Sequence, residues 1–166
     1  MRVLLKLVLD CAPDDAWRAI RSPKVFREVS APLTQFTSLE VGGFPPLWEP
    51  GEHPVRMSAL GLCPVGQQVI DVSYSEPHDG VRVMRDSGRG LSGPLALVST
   101  WEHSMAISEL PDGRTLYRDQ LVFGAGAITP LMWPLYWAFW QWRGAALARL
   151  APSWGQGTTC PTNLSL

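Results

Sequence analysis

The two side chains whose types and placement could do chemistry are His103 and Asp119. They lie in two β-forming runs, Leu95–Leu110 and Arg114–Phe123, joined by Pro111-Asp112-Gly113. That loop suits a type I turn followed by a left-handed glycine, a common three-residue hairpin connection. The register follows from it: Ile107 opposite Tyr117, Met105 opposite Asp119, His103 opposite Leu121 and Trp101 opposite Phe123. Side chains alternate along a strand, so Trp101, His103, Met105, Ile107, Tyr117, Asp119, Leu121 and Phe123 share one face, and Thr100, Glu102, Ser104 and Arg118 the other. A two-residue turn would slip the register and bring Arg118 onto the apolar face. The apolar matching favours the three-residue turn.

Apart from the Tyr117 phenol, His103 and Asp119 are the only ionisable groups on that face, and they are diagonal neighbours across the strand pair. A carboxylate beside a histidine orients its tautomer and raises its basicity. Such a pair can position a polar ligand head, act as a general base, or simply fix the sheet as a satisfied hydrogen bond. The catalytic residues, if there are any, stay unassigned. Arg143 could reach Asp119 or a ligand carboxylate, or form a surface ion pair. Arg85, in alternation with Val81 and Val83, faces either the pocket or solvent. Tyr74 reads as core, and His53 and His78 as solvated turn residues. No serine–histidine–aspartate series, paired carboxylates or cysteine–histidine metal spacing occurs, so neither a metal nor a cofactor is expected. Ser87 to Gly93 lacks the lysine and spacing of a phosphate loop and reads as a mobile lip at a cavity mouth.

The elements that must position these residues follow from periodicity and breakers. Val3, Leu5, Leu7 and Leu9 alternate against Arg2, Lys6 and Asp10, which predicts a half-buried strand rather than a signal peptide. Pro13 to Ile20 and Lys24 to Val29 read as short helices. Strand-like runs follow at Leu33–Val41, Val55–Leu62, Gln67–Ser75 and Val81–Asp86, with a glycine- and proline-rich loop at Gly42–Pro54. Between Asp119 and Arg143 there is no charge. That stretch is long enough to cross a bilayer, but Gly124, Gly126, Pro130 and Pro134 divide it into the end of a strand, a turn and a helix over Leu131–Leu150. Thr129 is the expected N-cap, with Pro130 at the first helical position. On that helix Trp133, Trp137 and Trp140 fall on one face, Met132, Tyr136 and Phe139 on a second, and Leu131, Leu135 and Trp142 on a third. A helix apolar all round is normally buried all round. The Gly42–Pro54 loop with Phe44 and Trp48, a second copy of the chain, or a membrane surface could cover the side turned away from the sheet.

Strands in a row with helices set apart predict an α+β architecture: a curved antiparallel sheet wrapped around a long C-terminal helix, with two short helices after the first strand. The chain has 166 residues, a net charge of −1 and a charged fraction of 17%, which is low. Nothing in that balance suggests nucleic acid as a partner. The odd, isolated cysteines Cys11, Cys63 and Cys160 suggest a reducing, cytoplasmic setting. Residues 1–150 are expected to form one domain, and 151–166 a flexible tail.

The element order, with Ala12-Pro13, Ala16-Trp17 and Ile20 after a first strand, resembles the START-like superfamily of lipid-transfer domains and polyketide cyclases. Trp101-Glu102-His103, Gly113-Arg114-Thr115, Asp119 and Trp142-Arg143 are similar to a bacterial ligand-binding subgroup of it. The resemblance implies a helix-grip fold and a small, largely hydrophobic ligand held between sheet and C-terminal helix. The expected lining is Trp101, His103, Met105, Tyr117, Asp119, Leu121, Phe123, Trp133, Trp137 and Trp140. A cyclase or dehydratase using His103 or Tyr117 is the first alternative. The second is a non-catalytic module that docks a partner, a second copy or a membrane surface through the Trp-rich helix.

Overall fold

A computed structural model describes residues 1–78 and 80–158, so Cys160 lies outside the described residues. The elements are strand β1 (Arg2–Leu9), helices α1 (Pro13–Ile20) and α2 (Pro23–Ser30), strands β2 (Thr34–Ser38), β3 (Gly51–Ala59), β4 (Cys63–His78), β5 (Val81–Asp86), β6 (Arg89–Gly90), β7 (Thr100–Glu109) and β8 (Thr115–Gly124), and helix α3 (Thr129–Leu150). Short 3-10 segments occupy Gly93–Leu97 and Ala151–Thr158. The strands form one open, curved antiparallel sheet in the order β1-β8-β7-β5-β4-β3-β2, with β6 added to β4. This is the α+β arrangement that the sequence predicts.

The β7–β8 hairpin has the register that its turn chemistry requires. Ile107 pairs with Tyr117, Met105 with Asp119, His103 with Leu121 and Trp101 with Phe123. Leu110 N–H donates to the Arg114 carbonyl at 2.8 Å to close the loop. Gly113 turns the chain at φ +79°, a left-handed conformation that a side chain would strain. Arg118 consequently points to the outer face, where it reaches Ser108.

The larger part of the core lies between the concave face of the sheet and α1 and α2, and includes Leu9, Val55, Val72, Ile107 and Tyr117. A smaller cluster of Val3, Leu121, Phe123 and Trp140 sits under α3. The helix packs on the β1 edge of the sheet and touches α2. Gly144 permits this approach: a Cβ there would come within 2.7 Å of Leu5 and 3.4 Å of Leu7.

Several details differ from the sequence reading. Thr129 is not the N-cap of α3. Ile128 precedes the first turn, and the Thr129 hydroxyl instead accepts from Ala125 N–H and donates to the Gly126 carbonyl, which ties the entry loop. Ordered packing also continues past position 150: Ala151 is fully buried and Trp154 packs on the core. The tail expected over 151–166 is therefore helical up to Thr158, and positions 159–166 lie outside the described residues. The Gly42–Pro54 loop does not cover α3. Its Trp48 is buried against Phe26 and His53, with Phe44 packed edge-on to it, at the α2 end of the core. His53 is buried rather than solvated, held between Glu40 Oε1 and the Glu49 carbonyl at 2.8 Å each. Within the Ser87–Gly93 segment, Gly88 and Gly90 lie against neighbouring backbone: a Cβ on either would strike the Val69 or Leu95 carbonyl.

If Gly144 sets the seat of α3, replacing it by leucine should cost about 1–3 kcal/mol, as overpacking of a close contact does. Ala145→Leu, one position on and exposed, should change stability by less than about 0.5 kcal/mol. Urea unfolding of the two variants checks this, and equal losses would contradict it.

Candidate functional site

Asp119 is 3% exposed and takes three donors from three parts of the fold. His103 Nε2 on β7 reaches its Oδ1 at 2.8 Å, and Trp140 Nε1 on α3 reaches the same oxygen at 2.9 Å. The Tyr117 hydroxyl, two residues back on β8, donates to Oδ2 at 2.7 Å. Burial alone would raise the Asp119 pKa. The charge and hydrogen bond of His103, the charge of Arg143 and the Trp140 N–H outweigh it and hold the carboxyl at about 2. Tyr117 moves the opposite way: burial, and then the neighbouring carboxylate, push its phenol well above the usual value, so it remains a donor. An ionised carboxylate can only accept, so His103 carries a proton on Nε2, and in the neutral ring Nδ1 holds the lone pair.

A second buried carboxylate flanks His103. Asp86 on β5 is its cross-strand partner. Asp86 Oδ1 accepts from Asp71 N–H and Gly88 N–H at 3.0 Å, and Oδ2 from Trp101 Nε1 at 3.0 Å. Burial raises its pKa, against the lowering effects of His103 and these hydrogen bonds. Sequence reasoning missed Asp86 because it weighed only Arg85 on β5, as facing either the pocket or solvent, and did not single out the alternate residues. Met84 pairs with Met105 and Asp86 with His103, while Arg85 is exposed and bonds Ser75. No tight turn joins β5 to β7, so no local signal fixes that register.

These groups stand at one wall of a cavity of about 730 Å³ between α3 and the sheet. Its apolar lining includes Phe26, Phe36, Met57, Ile70, Leu95 and Phe139. Trp101, His103, Trp140, Asp86 and Arg143 line it as well. Met105 and Tyr117 line a smaller recess of about 40 Å³ that shares Ile70, Asp86, His103 and Arg143 with the main cavity. Asp119, Leu121 and Phe123 lie behind the lining as buried support.

Two of the expected tryptophans are placed elsewhere. Trp133 donates from Nε1 to the Arg2 carbonyl at the β1 edge, and Trp137 is 46% exposed. The cause is the phase of α3. Trp133, Trp137, Trp140 and Gly144 fall at i, i+4, i+7 and i+11, one stripe of the helix. Gly144 turns that stripe toward β1. The neighbouring stripe, Met132, Tyr136, Phe139 and Arg143, is thereby turned to the cavity. A glycine in register with the tryptophans was the signal available in the sequence.

Arg143 is 7% exposed. Its guanidinium lies 5.1 Å from the Trp140 ring centroid and 5.9 Å from those of Phe26 and Phe139. Its Nε is buried with no hydrogen-bond partner, and it forms no ion pair among the described residues. The surface ion pair is therefore not its role.

The fold has solved relatives in shape. A protein from Chromobacterium violaceum is 20% identical, with a TM-score of 0.64 over 91% of this chain and 96% of that one. A START superfamily protein from Mycobacterium smegmatis is 12% identical, with a TM-score of 0.58 over 92% of this chain and 97% of that one. This chain has the START-like, helix-grip fold. A protein of the dynemicin biosynthetic locus shares it at 17% identity and a TM-score of 0.52, over 90% of this chain and 46% of that one. At these identities the likeness speaks to fold alone. The chain matches no protein-family model and none of the curated proteins. Among the described residues no helix is long and apolar enough to cross a membrane.

Asp119 titrates lower in the fold than in the unfolded chain, so its contribution to stability is complete above about pH 4 and is lost as pH falls toward 2. Asp119→Asn should cost about 3–5 kcal/mol near neutral pH, as loss of a buried partner does. The gap between variant and wild type should narrow from about pH 4 downward. Urea midpoints measured across that window check this, and a gap independent of pH would contradict it.

Proposed function

We propose that this chain binds a small, largely apolar molecule in the cavity between the curved sheet and α3. The observation that carries this reading is the cavity itself: about 730 Å³, walled by aliphatic and aromatic side chains, with His103, Asp86 and Arg143 gathered at one wall. Ligand sites are typically clefts of about 300–1,000 Å³ with apolar walls and a few convergent polar groups. The START-like fold supports the same location by analogy.

The His103–Asp119 pair is read here as the frame of the polar wall. Asp119 faces three protein donors, and of the pair only His103 lines the cavity. Proton transfer by Tyr117 has little support, since its hydroxyl is committed inward to Asp119.

Ala59 lines the cavity and is only partly buried. Ala59→Trp should therefore fill space without disturbing the core, and should weaken binding of 1-decanol at least about tenfold, the effect of losing roughly 1.4 kcal/mol. Ala148→Trp, exposed and remote from the lining, should leave it unchanged. Tryptophan-fluorescence titration reads both. Equal affinities in the two variants would remove the cavity as the site.

A further inference from the structure

We infer that the molecule held in the cavity carries a single negative charge, a carboxylate, and that Arg143 is the residue that takes it. The inference rests on the cavity-binding reading and assigns the chemistry of its polar wall.

A buried cation is costly unless it is paired and hydrogen-bonded. Arg143 is buried, yet its Nε has no acceptor and the guanidinium forms neither a hydrogen bond nor an ion pair among the described residues. No oxygen of the described residues accepts a hydrogen bond from it. Asp119 takes its donors from His103, Trp140 and Tyr117. Asp86 takes its own from Asp71, Gly88 and Trp101. Neither carboxylate receives one from Arg143.

The three rings around the guanidinium explain how it is held. Trp140, Phe26 and Phe139 attract the cation through their faces. They supply no lone pair for the N–H groups. What is left is a fixed cation on the cavity wall, with donors unanswered. A planar guanidinium fork matches the two oxygens of a carboxylate. The ionised Asp119 carboxylate behind the wall repels a dianion such as a phosphate monoester more strongly than a monoanion. A carboxylate with an apolar body fits both the wall and the remaining lining.

The test compares decanoate with 1-decanol on the full chain at pH 8, read by tryptophan fluorescence. Wild type should bind decanoate about tenfold or more tightly than decanol, the effect of a hydrogen bond to a charged group. In Arg143→Met that ratio should fall to about one, and Arg143→Lys should keep part of it. Equal affinities in wild type, or an unchanged ratio in Arg143→Met, would overturn the assignment while leaving the cavity reading intact. Failure of wild type to bind either probe would overturn the cavity reading instead. Should Arg143→Met not fold, the wild-type ratio and the Arg143→Lys variant decide the matter.

Discussion

The structure depends on one buried carboxylate. Asp119 sits where β7, β8 and α3 meet, and it takes a donor from each. An ionised group in that place would destabilise the fold if unpaired, because desolvation of a charge costs several kcal/mol. Here three donors and the nearby charge of Arg143 compensate it. The consequence is geometric as much as energetic. Trp140 can reach Asp119 only if α3 lies at one height and one rotation over the sheet.

That rotation decides what the helix offers the interior. With Gly144 set against Leu5 and Leu7, Trp133 lies at the β1 edge and the Met132–Arg143 stripe looks across the sheet. The helix does not descend onto the strands beyond β1, and α2 and the Gly93–Leu97 segment fill only part of the gap. The cavity is the space left over. Its polar wall is the other side of the same network: His103 stands between Asp119 and Asp86, and Arg143 is held by aromatic rings beside it.

How much of this could be read from residues depended on how local the determining interaction was. The β7–β8 register was legible because Pro111-Asp112-Gly113 specifies it within a few residues, and it placed His103 diagonal to Asp119. The inner face of β5 was not, since a long connection separates it from β7 and nothing nearby selects Met84 and Asp86 over Val83 and Arg85. The phase of α3 was hidden for a different reason. A helix apolar on every side gives no amphipathic signal, and the decision passed to one glycine contact with β1. From the sequence alone Trp133 and Trp137 therefore belong to the lining, and Arg143 stays open between a contact to Asp119 or a ligand carboxylate and a surface ion pair. The element order itself was legible, because turn residues punctuate nearly every strand and the uncharged run is broken by Gly124, Gly126 and Pro130.

The tryptophan surplus thus divides by neighbour. Trp101 and Trp140 belong to the polar wall, Trp48 to the core under the Gly42–Pro54 loop, and Trp133 to the β1 edge. The most direct measurement of the central claim is a crystal structure of the chain saturated with decanoate. The alkyl chain is expected between Ile70 and Phe139, with its carboxylate on the Arg143 guanidinium. Density for the ligand outside this cavity, or only water within it, would contradict the account.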